Sequence, residues 1–218
     1  MNPLSVLRDS LYFFRRHLTS IVQLCLPLVV LETLCTQLLY SQLGEKPSPA
    51  YGMLVSLLFY PIYSAALILY LDTRSNGEAP PKRDLFARAL QLWPTLALLI
   101  MISSLLIMAG VALFVLPGIW VMINLVFAEY LLVLRGLPVI AAMRESARMT
   151  TGNFWRILIC VLAVLAPLWL IDGLLMMAFP EPQGGVQFAL DCLNSFLQLF
   201  STVVLYRLFM LIEANATA

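Results

Sequence analysis

The chain has 218 residues, of which 61% are apolar and only 11% charged, with a mean hydropathy of +0.91. Soluble domains run nearer half apolar and a quarter charged, so a water-exposed fold is excluded and the solvent for most of this chain must be lipid. The net charge of +1 argues neither for nor against an anionic partner; the placement of the charges is what discriminates.

A hydrocarbon core of ~30 Å needs about 20 apolar residues at ~1.5 Å rise each. Six runs satisfy this, at 19–43, 51–72, 93–116, 118–134, 154–179 and 187–212. The fourth is short. It is divided from the third only by Leu116-Pro117-Gly118-Ile119-Trp120, and no charge occurs between Arg88 and Glu129. Proline and glycine together break a helix and permit a tight reversal, so a hairpin with an uncharged tip is expected here. The fold class is therefore an all-α polytopic membrane protein, one membrane domain over 1–218, with six transmembrane helices.

Orientation follows from the basic residues. If the N-terminus faces the cytoplasm, every Lys and Arg except Lys46 falls on the cytoplasmic side. Both termini are expected there. The first apolar run is too long for a signal-peptide core and lacks an A-x-A-like cleavage site. Cys25, Cys35, Cys160 and Cys192 all lie inside spans without a C-x-x-C, as small buried hydrophobes do.

The charges also suggest a repeat. Arg8-Asp9, Arg83-Asp84 and Arg144-Glu145 each stand shortly before an odd-numbered span, in a segment with helical spacing of apolar residues. The apolar sets are Leu4, Leu7, Leu11, Phe14 and Leu18, then Leu85, Phe86, Leu90 and Trp93, then Ile140, Met143, Ala147 and Thr150. Pro27 and Glu32 in span one recur as Pro167 and Asp172 in span five. Three tandem units over 1–72, 82–134 and 137–213 follow, each an interfacial amphipathic helix with a hairpin. Such helices lie along the membrane surface with basic residues toward phosphates. Arg8, Arg15, Arg16, Arg83, Arg88, Arg144, Arg148 and Arg156 are the headgroup candidates, and anionic phospholipids the expected partners.

Arg148-Met149-Thr150-Thr151-Gly152-Asn153-Phe154-Trp155-Arg156 reads as a corner from the surface into the bilayer. Gly152 suits a left-handed helix end and Asn153 a cap for the next helix. Trp155 and Arg156 suit the headgroup level.

The stretches LPGIW, FAEYLLVLRG and AAMRESARMTTGNFWR, spanning 116–156, resemble the YciC-like family of uncharacterised bacterial inner-membrane proteins. They are also similar to the membrane domain attached to some glycerophosphodiester phosphodiesterases. The resemblance implies a six-helix bacterial inner-membrane protein linked to envelope maintenance. It brings no catalytic residues, and no phosphodiesterase activity is expected.

Ionisable residues within spans are costly and are functional candidates by default. Here they are Glu32, Glu129, Asp172, Asp191 and Arg207, and depth permits a Glu129–Arg207 pair. In span six Gln187, Asp191, Asn194, Ser195, Gln198, Thr202 and Tyr206 form one polar stripe, continued by Glu213, and Thr33, Thr36 and Gln37 accompany Glu32. Such a stripe can be helix-packing glue, the lining of a groove for a lipid or small amphiphile, or an ion path. Asp191, Asn194, Gln198 and Glu32 are the residues that would line an internal polar surface.

The lone histidine, His17, lies at the inner edge of span one, and no zinc-protease, phosphate-loop or serine-elbow motif occurs. An enzyme, a cofactor and a nucleic-acid partner are not expected. The sequence favours a non-enzymatic membrane protein of envelope or lipid homeostasis that binds or moves a lipid or small amphiphile. The alternatives are a proton-coupled transporter or channel, and a scaffold for an envelope protein partner.

Overall fold

The computed structural model describes residues 3–43, 49–78, 80–178 and 185–217; Lys46 lies outside them. These residues form eight helices: α1 Pro3–Leu43, α2 Pro49–Ser75, α3 Lys82–Leu113, α4 Val115–Leu125, α5 Ala128–Arg135, α6 Val139–Thr150, α7 Phe154–Ala178 and α8 Gly185–Thr217. Six stretches are long and apolar enough to cross a membrane, with α4 and α5 together making the fourth. The protein is an all-helical, six-span membrane protein.

α2 is the most buried span and α3 the least. α2 touches α1, α3, α5 and α8, so it forms the axis of the bundle, while α7 packs chiefly on α8. The core runs from Ile21, Leu24 and Val29 of α1 through Ala65–Ile68 of α2 to Leu131, Val203 and Phe209. Cys25 and Cys160 are buried in it, and all four cysteines are free.

The surface segments differ from one another. Those before spans one and three are the first turns of α1 and α3, continuous with the spans themselves. Nothing between Leu4 and Leu18 or between Leu85 and Trp93 breaks a helix, so the chain runs straight on. Only the third stands alone, as α6, because glycines in the left-handed region bracket it: Gly136 at φ 64° closes α5 and Gly152 at φ 86° follows α6. An L-residue is disfavoured at either point.

The reversal between spans three and four falls at Phe114, a few residues earlier than the Pro-Gly pair suggests. Phe114 is extended (φ −165°, ψ 155°) and α4 starts at once. Pro117 sits in the first turn of α4, where a missing N–H costs nothing. Gly118 is therefore used for packing: a Cβ there would meet the Val111 side chain and lie 2.9 Å from the Val111 nitrogen, while one on Gly110 would lie 2.9 Å from the Gly118 Cα. The tip, Leu113 to Leu116, is wholly apolar and exposed, as befits a surface bathed in lipid.

Candidate functional site

α2 carries Ser56, Tyr60, Tyr63 and Ser64, spaced at four, three and one. At 3.6 residues per turn these fall on one side of the helix. That side meets two intramembrane carboxyls. Glu32 of α1 accepts a hydrogen bond from Ser56 Oγ at 2.5 Å, while its Oε2 is buried without a partner among the described residues. Glu129, in the first turn of α5, accepts through Oε2 from Ser64 Oγ at 3.0 Å and Tyr60 Oη at 3.4 Å. Its Oε1 takes no bond among the described residues. The N-terminal end of a helix favours negative charge.

Tyr60 and Glu129 stand in the wall of a cavity of about 210 Å³, together with Ser103 and Ser104 of α3 and Ser201 and Thr202 of α8. Tyr130 completes it and donates from its hydroxyl to the Thr202 carbonyl at 3.0 Å. A larger groove of about 620 Å³ adjoins it between α2 and α3. Met53, Leu54, Leu57, Met101, Leu105 and Met108 line the groove, and Tyr60, Ile100, Ser104 and Ile107 are shared by both spaces. From Tyr60 the groove runs to Ala50, roughly 15 Å along α2 at the helical rise. Its end lies on the side opposite the arginine-rich ends of the helices. An apolar channel thus leads from the lipid-facing flank to a cluster of hydroxyls and one carboxyl. No Lys, Arg or His is among the described residues lining either space.

The depth-matched pair of Glu129 with Arg207 does not form. α5 turns Glu129 toward α2, whereas Arg207 is exposed and lines a separate cavity of about 250 Å³ with Ser10, Phe13, Ser75 and Tyr206. Tyr206 there shares a 2.9 Å hydrogen bond with Ser75 and donates to Asp72 Oδ1 at 3.3 Å. His17, beside this region, contacts the Tyr70 hydroxyl at 3.4 Å.

The span-six stripe is divided among partners. Asn194 Nδ2 donates to Asp172 Oδ1 of α7 at 3.3 Å. Asp191 and Gln198 are exposed, whereas Thr202 and Tyr206 are buried. Asp172 is exposed too. The outer part of the stripe thus ties α8 to α7 through Asn194, and of the described polar residues of α8 only Ser201 and Thr202, the former off the stripe, line the Glu129 cavity.

Arg8, Arg15, Arg16, Arg83, Arg88, Arg144, Arg148 and Arg156 are all exposed. Arg148 is committed to Glu145 through bonds of 2.9 and 2.8 Å. These bonds hold the Glu145 carboxyl below the usual carboxylate range against a small opposing effect of burial, and the charges of Arg148 and of Arg135, 4.0 Å away, add to them. Arg135 also clasps Glu213 at the end of α8.

Ser56, Tyr60, Tyr63, Ser64, Ser103, Ser104 and Tyr130 are absent from the sequence-based candidates. The four-three-one hydroxyl spacing in α2 is a usable signal, hidden because tyrosine counts among apolar residues.

No solved structure matches the chain significantly. A family model described as an uncharacterised protein family, UPF0259, matches residues 48–211, which hold α2, the groove, Glu129 and most of α8. That match covers most of the sequence, and the chain belongs to the UPF0259 family.

Proposed function

We propose that this protein binds an amphiphile laterally from the membrane, with the apolar part in the α2–α3 groove and the polar part in the Glu129 cavity. The observation that carries the reading is the continuity of the two spaces: an apolar groove that ends at a carboxyl. Simple helix packing needs no such opening, and a buried carboxyl without a cation is costly to keep unless it serves a ligand. The groove volume lies within the ~300–1,000 Å³ usual for small-molecule sites. The exposed arginines would hold anionic phospholipid headgroups around the bundle, fitting a non-enzymatic role in bacterial inner-membrane lipid or envelope homeostasis with both termini cytoplasmic.

The test is native mass spectrometry of the gently solubilised protein beside a Ser104→Trp variant, which fills the junction of groove and cavity. A specific amphiphile retained by the wild type and lost from the folded variant supports the reading. Equal retention by both proteins, or none by either, would overturn it.

A second reading, a proton-coupled transporter, is favoured by one observation. Glu32 of α1 and Glu129 of α5 are bonded to hydroxyls of the same helix, α2, one turn or two apart on one side of it. In that case proton flux in proteoliposomes would fall in both Glu32→Gln and Glu129→Gln; unchanged flux in either rejects it.

A further inference from the structure

The cavity's chemistry narrows the ligand class, resting on the groove reading above. We infer that the polar end it recognises is cationic, so that the ligand is a lipophilic amine and not a phosphate-bearing or carboxylate-bearing lipid. Three observations point the same way.

First, both bonds to Glu129 fall on Oε2, which leaves Oε1 available to a guest in the cavity that Glu129 lines. Second, the remaining polar groups of the described wall are hydroxyls, with no Lys, Arg or His among the described lining residues. Hydroxyls accept as well as donate, so an ammonium group finds acceptors on several sides, whereas a phosphate finds a carboxyl and nothing positive. Repulsion between like charges is strongest where water is excluded, and such unpaired charge rejects a wrong ligand as firmly as contacts select the right one. Third, the rings of Tyr60 and Tyr130 stand in the same wall and can add cation–π attraction.

The groove sets the rest of the molecule. Its lining between Met53 and Met108 is thioether and aliphatic apart from Ser56, Tyr60 and Ser104. A volume of about 620 Å³ suits one compact apolar body more than a two-chain phospholipid. Methionine-lined surfaces also adapt to varied apolar shapes, so selectivity resides at the charged end.

The experiment uses diazirine-bearing decylamine, its acetamide, decanol and decyl phosphate, added to the full-length protein in nanodiscs, with adducts mapped by mass spectrometry. Decylamine should label α2 and α3 groove residues about tenfold more than its acetamide or the phosphate, the scale of one charge-assisted hydrogen bond. Glu129→Gln should remove that preference while decanol labelling persists. The acetamide comparison needs no variant, so the inference stays testable if Glu129→Gln does not fold. Equal groove labelling by all four probes, blocked by Ser104→Trp, would leave the groove reading standing and overturn the cationic one. No groove labelling by any probe would overturn both.

Discussion

Ser146 of α6 bridges the gap in the fourth span: its Oγ accepts from the Phe127 N–H at 3.1 Å and donates to the Asn124 carbonyl at 2.6 Å. The helix is interrupted there between Leu125 and Ala128, and an interruption at membrane depth is tolerated only where protein satisfies the freed backbone groups. Thr150 adds a bond of 2.8 Å to the Asn124 side chain. α6 is thereby coupled to the position of Glu129, two residues beyond Phe127. Ser146 is fully buried, so Ser146→Ala leaves a buried donor and acceptor unmade, a loss of about 1–3 kcal/mol. Thermal unfolding in nanodiscs should show a clear drop in midpoint, against almost none for Thr151→Ala on the exposed side of the same corner. Equal midpoints for Ser146→Ala and wild type would refute this role.

The Gly110–Gly118 contact makes a second prediction. A side chain on Gly118 has no room beside Val111, so Gly118→Val must push α4 away from α3, at roughly the 1–3 kcal/mol of overpacking. Because α3 also forms one wall of the groove, amphiphile retention should fall with stability. Spin labels at exposed positions 106 and 120 would report a wider hairpin. An unchanged distance distribution would show that the helices do not depend on this contact.

Much of the fold was legible in the residues themselves. Hydrophobic runs and breakers mark the six spans, because each apolar stretch answers to bilayer thickness alone. The reversal falls at Phe114, a few residues before the Pro-Gly pair, because Pro117 is as acceptable in a first helical turn as at a turn's tip. The amphipathic segments before spans one and three run straight into the span helices α1 and α3, since basic residues at an interface do not themselves break a helix. The site was less legible. Glu129 stands out in the sequence as an intramembrane acid, but its partners, Ser64 and Tyr60, lie 65 and 69 residues away, and only the packing of α5 on α2 unites them. The polar stripe of α8 is longer, yet Asn194 spends its hydrogen bond on Asp172 of the neighbouring α7, and Asp191 and Gln198 are exposed.

Glu145 gives a pH dependence whose sign is fixed. Its carboxyl titrates below the usual range in the folded protein because Arg148 hydrogen-bonds the charged form. Stability from this pair is thus complete above the unfolded value of about 4.3 and disappears as pH falls through the lower folded value. The pair faces solvent on the Arg148 side, so the effect is small. Unfolding of wild type and Glu145→Gln between pH 3 and pH 7 should show a wild-type advantage near neutrality that vanishes in acid. An advantage that grows on acidification would contradict the assignment.

The same pair separates the arginines of the corner that leads into α7. Arg148 is occupied by Glu145, whereas Arg144 and Arg156 are exposed and make no ion pair among the described residues. An anionic headgroup gains more from a guanidinium with no competing carboxylate, since exchange of one partner for another cancels most of the Coulombic gain. Each basic residue near the surface is worth about 1 kcal/mol toward an anionic membrane, roughly fivefold in retention. Arg144→Gln and Arg156→Gln should each weaken selective retention of anionic over zwitterionic phospholipid by about that factor, and Arg148→Gln by much less. Titration of nanodisc-embedded variants with the two lipid classes, read by native mass spectrometry, distinguishes them. If Arg148→Gln costs as much as either of the others, the Glu145 pair does not compete with lipid, and the basic face acts as a diffuse charge in which position is immaterial.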